Sequence, residues 1–327
     1  IDATTASLSA TSNVAEGGSI VYTAALTNAA QGPVSITLSN GATITIPAGA
    51  SSGSVSVAAP TEDVYLDAGG VSATISSATG GNFESLLIDP AAANTAVTDT
   101  IDTTTVSLTG AASVIEGNTA SYTVSLTSPA QTAVTVNLSY SGTAADGSDF
   151  TGVATVTIGA GSSSAGFDIA TLDDALAEGV ENFTVALSSA TGGNFENLLV
   201  SASANSVSTA LLDNDGTPSL GVSDVAVIEG NLAVFTVSLS NASATPTTFM
   251  PTLGSGTATV GIDTGSALEY FDGSGWVPVT GAGVTIAAGS TSVQVRVATV
   301  DDALADSGET FTLTATVTAG STANAVA

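Results

Sequence analysis

Acidic side chains in this 327-residue chain gather three times in one recurring phrase. The phrases are Glu62-Asp63-Val64-Tyr65-Leu66-Asp67, Asp173-Asp174-Ala175-Leu176-Ala177-Glu178-Gly179-Val180-Glu181 and Asp301-Asp302-Ala303-Leu304-Ala305-Asp306-Ser307-Gly308-Glu309. Upstream of each stands a Glu-Gly pair: Glu16-Gly17, Glu116-Gly117 and Glu229-Gly230. Carboxylates crowded together repel unless a cation sits among them. An all-oxygen set in a chain with no His and no Cys suits a hard ion such as Ca²⁺. A solvated acidic loop that binds nothing is the other reading, because exposed Asp is common in turns. Recurrence at one place in three repeats favours the ion.

Paired carboxylates also hydrolyse glycosides. Here the pairs lack aromatic and basic companions to hold a sugar, and there is no His or Lys to act as base or nucleophile. A non-enzyme is expected. The chain carries 29 acidic residues and one basic residue, Arg296, for a net charge of −28. No cationic surface exists to neutralise phosphate, which excludes nucleic acid and anionic lipid as partners. Without Cys there are no disulfide staples, so bound metal is the natural substitute. No apolar run is long enough for a membrane span, and no basic-then-apolar start reads as a signal peptide. Beginning at Ile1, the chain reads as a monomeric segment cut from a longer protein.

The elements that must position the acids are strands. Val124-Ser125-Leu126, Val134-Thr135-Val136-Asn137-Leu138, Val153-Ala154-Thr155-Val156-Thr157-Ile158 and Phe183-Thr184-Val185-Ala186-Leu187 alternate apolar with small polar residues. Period two marks a half-buried strand, and Gly, Asn, Ser and Pro punctuate the runs. The Glu-Gly pairs are spaced 100 residues (Glu16 to Glu116) and then 113 (Glu116 to Glu229), a domain-sized period. The expected fold is all-β, tandem immunoglobulin-like antiparallel sandwiches with boundaries at 1–102, 103–216 and 217–327. The linkers Asp99-Thr100-Ile101-Asp102 and Asp213-Asn214-Asp215-Gly216 are short and acidic, unlike flexible Gly/Ser tethers.

Glu116-Gly117, the 142–150 loop, the 173–181 cluster and the closing Asp213-Asn214-Asp215 give the middle repeat its character. In order and spacing they resemble a Calx-beta domain, a calcium-binding β-sandwich also found in tandem in large bacterial surface proteins. The third repeat resembles it too, apart from an insertion and an early stop. The first repeat, through its 40–46 and 76–84 phrases, is more similar to the repeats of giant LapA-type biofilm adhesins. Those are RTX-like surface proteins exported by type I secretion. The resemblance implies an extracellular, cell-surface adhesin whose repeats project a distal ligand-binding region.

It also implies a ligand set. In the second repeat this is Glu116, Asp149, Asp173, Asp174, Glu178 and Glu181, with the Leu176 carbonyl and linker Asp213 and Asp215. The third repeat keeps Glu229, Asp263, Asp301, Asp302, Asp306 and Glu309, and lacks the downstream linker. The first keeps Glu16, Asp63, Asp67, Asp99 and Asp102, with Gly70 standing where Glu181 stands. Fewer ions are expected there. Calcium shared between sandwich loops and linker would fix each repeat to its neighbour in the chain.

Three other features weigh less. The phrases Gly80-Gly81-Asn82-Phe83-Glu84 and Gly192-Gly193-Asn194-Phe195-Glu196 read as hairpin turns with the Phe tucked into the core, not as phosphate loops. The 270–276 insertion holds the only Trp, Trp276. It reads as a hairpin capping the local core, with a glycan-binding platform as the alternative. Arg296, alternating with valines, is expected to face solvent or pair with an acid.

Overall fold

The structure is a computed structural model and describes residues 2–303 and 308–327. Among these residues every regular element is a β-strand. The alternation read from the sequence appears as alternating burial. Ser19–Leu26 and Thr119–Leu126 bury Ile20, Tyr22, Ala24 and Leu26, then Ala120, Tyr122, Val124 and Leu126.

The second repeat is the most regular. One sheet orders Phe150–Thr151, Ser164–Thr171, Thr119–Leu126, Thr103–Gly110 and Asn197–Val200. The other orders Ser113–Ile115, Ser206–Leu212, Glu181–Gly192, Val134–Gly142 and Thr155–Ile158. Their inner faces enclose one apolar cluster. In it Phe150 and Phe183 stack at 4.5 Å with rings 22° apart. Burying each ring stabilises the sandwich by about 2 kcal/mol. The first and third repeats have their own clusters, around Tyr22, Ile36 and Ile44 and around Phe249, Val237 and Val295.

A strand that changes sheets places the Glu-Gly pair. Thr103–Gly110 runs parallel to Asn197–Val200 in one sheet, and Ser113–Ile115 then runs parallel to Ser206–Leu212 in the other. Ala3–Ala10 and Asn13–Ala15 repeat this against Ser85–Ile88 and Ala93–Thr98. Each switch delivers its Glu beside the end of the last strand. The Glu16 amide donates to the Thr98 carbonyl at 3.1 Å, and the Glu116 amide to the Leu212 carbonyl at 3.0 Å.

Two sequence expectations change here. The 80–84 and 192–196 segments are not hairpin turns. Ile75–Gly80 lies in one sheet while Ser85–Ile88 lies in the other, so the turn crosses the sandwich. Asn82 and Asn194 take left-handed backbone conformations there (φ 58° and 61°), which Asn tolerates. Phe195 is buried as expected, whereas Phe83 is only half-buried. Second, strand register sets Gly69 opposite Val97 as Glu181 lies opposite Leu211, so Gly69, not Gly70, occupies the Glu181 position.

The insertion of the third repeat forms a hairpin, Glu269–Phe271 with Trp276–Pro278. Trp276 does not join the core cluster. Its ring lies 4.2 Å from the Arg296 guanidinium carbon, and Arg296 is paired with Glu269 at 2.8 Å. Leu268 and Tyr270 are the insertion residues that pack on the core.

Candidate metal centres

At the pole of the second repeat the Glu-Gly turn, the acidic loop and the linker converge. Carboxylate oxygens of Glu116, Asp213 and Asp215 lie within 4.8 Å of one another. Glu116 is only 5% exposed, an expensive place for a charge without a partner. The Asn214 amide donates to its Oε1 at 3.0 Å, and Asn214 Nδ2 donates to Asp173 Oδ1 at 2.7 Å. Asp213 braces the loop: its Oδ2 accepts from the Glu178 amide and its Oδ1 from the Asp215 amide, both at 2.7 Å. Asp174 accepts from the Leu176 amide at 2.7 Å.

Beside this group stands a second. In it Glu181 has Asp149 as its acidic neighbour. The Asp149 carboxylate accepts from the Ala145 amide at 2.6 Å. Glu178 feels Asp174, Glu181, Asp149 and Glu116 together, linking the two groups. All the second-repeat residues implied by the resemblance are therefore at one end of one sandwich.

Electrostatics here oppose ionisation. Burial, and after it the charge of Asp213 and Asp174, pushes Glu116 above the usual carboxylate range. Glu178 and Glu181 are raised by burial and then by acidic neighbours, and Asp215 by burial, Asp213, Asp173 and Asp174. One Asp215 oxygen, Oδ2, is buried with no hydrogen-bond partner.

The first repeat holds a smaller version. Oxygens of Glu16, Asp67 and Asp99 lie within 4.8 Å of one another. Glu16 is 5% exposed and accepts from the Thr100 amide at 3.2 Å. Burial raises it, followed by Glu62, Asp67 and Asp99. Asp99 Oδ1 is buried and unpartnered, as Asp215 Oδ2 is. Asp63 is elsewhere, capping the loop by accepting from the Tyr65 amide at 2.8 Å. Asp102 faces Glu62 and Glu196, forming an acidic trio across the junction with the second repeat. Glu62 and Glu196 were missed as candidates. Glu62 opens the first cluster, and Glu196 belongs to a phrase notable only for its glycines and Phe.

In the third repeat Glu229, Asp263, Asp302 and Glu309 line one cavity of about 860 Å³ together with Phe235, Phe311 and Leu313. Asp301 packs its Cβ beside Gly230, where Asp173 packs beside Gly117. Asp306 lies outside the described residues. Glu229 is exposed, unlike Glu16 and Glu116. Among the described residues no full strand runs alongside 223–229 to seat it.

The acidic loops also touch the next repeat. Tyr65 stacks on Phe195 at 5.5 Å, and its hydroxyl donates to the Pro129 carbonyl at 2.5 Å. The Leu66 amide donates to the Asn194 carbonyl at 3.0 Å, and the Glu196 amide to the Val64 carbonyl at 3.1 Å. Onward, Leu176 and Ala177 pair parallel with Ala242 and Ser243 of the third repeat.

Comparison with known proteins gives two families. The LapA domain matches residues 2–100 and 102–213, and the Calx-beta domain matches residues 252–326. The LapA match thus takes in the middle repeat, whose motifs resemble Calx-beta. No curated protein matches the chain. Among solved structures, CBD12 from CALX1.2 is 16% identical, covering 64% of this chain and 79% of that one, with a TM-score of 0.30. The apo-form Calx CBD1 domain is 22% identical over 34% of this chain and 98% of that chain, TM-score 0.30. Native Escherichia coli alpha-2-macroglobulin is 11% identical over 95% of this chain and 22% of that chain, TM-score 0.23.

Proposed function

This chain belongs to the LapA domain family, and on that premise we propose that it is a calcium-rigidified extender segment of a bacterial surface adhesin. Its modules, 1–102, 103–216 and 217–327, stand outside the cell, exported by a type I system, and serve adhesion and biofilm formation. The observation that carries the calcium reading is the pair of orphaned oxygens. Asp99 Oδ1 and Asp215 Oδ2 are each buried without a partner inside a knot of carboxylates. A buried polar atom left unmatched costs about 1–3 kcal/mol. A hard divalent cation matches it, offsets the burial that chiefly raises Glu16 and Glu116, and cancels the carboxylate repulsion that adds to it.

The residues assigned to the second-repeat ions are Glu116, Asp173, Asp174, Glu178, Asp213 and Asp215, with Asp149 and Glu181 on the adjoining group and the Leu176 carbonyl on the loop. Glu16, Asp67 and Asp99 serve the first repeat. With the ion bound, loop and linker become one rigid piece, and the loop already grips the next repeat. Extracellular calcium modules bind at about 10⁻⁴–10⁻³ M, so millimolar calcium fills them after export. The glycan reading of the 270–276 insertion loses support because Arg296 lies against the Trp276 ring.

Thermal melting with calcium and with chelator tests the proposal. At ten times the dissociation constant each site adds about 1.4 kcal/mol. In a repeat of this size that is an upward shift of roughly 5–10 °C per site. A melting temperature indifferent to calcium would sink it.

A further inference from the structure

The junction between the first and second repeats is built on a phrase that the first repeat also possesses. Gly192-Gly193-Asn194-Phe195-Glu196 receives Tyr65, and Gly80-Gly81-Asn82-Phe83-Glu84 repeats it residue for residue. The likeness extends to conformation and internal bonding. Asn194 Nδ2 donates to Gln131 Oε1 at 2.7 Å, and Asn82 Nδ2 donates to Gln31 Oε1 at 3.0 Å. The Asp102 amide donates to Glu196 Oε2 at 2.6 Å, and the Asp2 amide to Glu84 Oε2 at 2.8 Å. The Gln131 amide donates to the Gly193 carbonyl at 3.0 Å, and the Gln31 amide to the Gly81 carbonyl at 3.1 Å.

What differs is the cover. Val64, Tyr65 and Leu66 lie on the second-repeat turn, supplying a ring, an amide and a carbonyl to Phe195, Asn194 and Glu196. Phe195 is consequently 6% exposed, with Asn194 and Glu196 half-buried. On the first repeat Phe83 is half-buried, with Asn82 and Glu84 exposed, and among the described residues no chain lies across them. Each of the three positions is one step more open than its counterpart.

We propose that the 80–84 turn is a docking surface for the acidic loop of a further repeat of this kind, one bearing an aromatic at the position of Tyr65. The occupant follows from the junctions present. Where the acceptor is Asn-Phe-Glu the arriving residue is Tyr65. In the third repeat the corresponding turn, Gly320-Ser321-Thr322-Ala323-Asn324, has no aromatic. There the arriving residues are Leu176 and Ala177, which pair with Ala242-Ser243, the counterpart of Pro129-Ala130, through backbone and a Ser243 hydroxyl donating to the Ala177 carbonyl at 3.5 Å. The first repeat carries the Asn-Phe-Glu type and so selects an aromatic loop. The tyrosine hydroxyl would meet the carbonyl of Ala29, the counterpart of Pro129. None of these contacts involves a metal, so the inference goes beyond the calcium reading.

The sequence supplies a clean test. Ile1-Asp2 matches Ile101-Asp102, so a copy of residues 1–100 placed directly before Ile1 of the full chain recreates the Asp99-Thr100-Ile101-Asp102 junction. Amide hydrogen exchange is followed in calcium at Asn82, Phe83 and Glu84 of the original repeat. Protection is expected to rise about tenfold or more, to the level of Asn194, Phe195 and Glu196. Tyr65→Ala in the added copy alone is expected to abolish the gain. Exchange at Ile36 and Ile44 of the added copy reports that it has folded. A folded added copy that leaves the 80–84 amides unprotected overturns the proposal, as does protection that survives Tyr65→Ala. Failure of the calcium reading appears separately, as a melting temperature indifferent to calcium.

Discussion

At the scale of single residues, the central oddity is Glu116, an acid 5% exposed and surrounded by other acids. A structural glutamate in such a place would have a cation beside it, and the chain's one basic residue, Arg296, is engaged with Glu269. The substitution Glu116→Gln keeps an oxygen for the Asn214 amide and removes the charge. Without calcium it relieves repulsion from Asp213 and Asp174, so stability is expected to hold or rise. With calcium it removes a ligand, so affinity is expected to fall about tenfold, or about 1.4 kcal/mol. Calorimetric titration and paired melts read both signs. A loss of equal size with and without calcium would make Glu116 a packing residue only. Glu16→Gln should behave alike in the first repeat, where the ligand set is smaller.

At the scale of elements, the glycine after each glutamate joins the strand switch to the acidic loop. Gly117 has φ +73°, and a Cβ there would sit 3.0 Å from the Asp173 Cβ. Gly230 meets Asp301 at the same distance, and Gly17 meets Glu62 at 3.4 Å. Alanine at 117 is expected to cost about 1–2 kcal/mol for its left-handed backbone. It should also push Asp173 outward, so the calcium-induced shift in melting shrinks as well. A destabilised protein with undiminished calcium affinity would limit Gly117 to turn geometry. These elements were partly legible beforehand. Alternation in Val134-Thr135-Val136 or Phe183-Thr184-Val185 is a local signal, and it named the strands and the sandwich. The acidic phrase, the Glu-Gly pair and the linker are also local, and through the family resemblance they carry they implied Glu116, Asp173 and Asp215 as ligands. What escaped was long-range. That the 80–84 turn crosses between sheets depends on Ser85–Ile88 pairing with a strand some eighty residues earlier. The trio of Glu62, Asp102 and Glu196 exists because two repeats meet there. Neither leaves a periodic trace in the chain. The exposure of Glu229 likewise depends on a neighbouring strand and not on its own Glu-Gly pair.

For the whole molecule the question is how a chain of net charge −28 holds its repeats in line. At the first junction Tyr65 on Phe195 pulls the repeats together, while Glu62, Asp102 and Glu196 push them apart. Burial and then these neighbours raise Glu62, as burial and neighbours raise Glu16, Glu116, Glu178, Glu181 and Asp215. A raised folded-state pKa means that the fold binds protons more tightly than the unfolded chain does. Calcium-free stability is therefore greatest below the ordinary carboxylate range. It falls as pH climbs from that range through the raised values. Calcium replaces the protons, so in its presence stability should rise with pH over the same window. Small-angle scattering joins this sign to shape. At neutral pH with calcium a stiff, extended particle is expected. Chelator at the same pH should leave the charges bare and give a shorter mean dimension with a wider spread. Chelator with acid, at a pH in the ordinary carboxylate range, should narrow the spread again, because the repulsion disappears although no ion returns. If the calcium-free chain remained equally broad after acidification, carboxylate repulsion would not be what splays the junctions. Their stiffness in calcium would then have to come from ion coordination geometry alone.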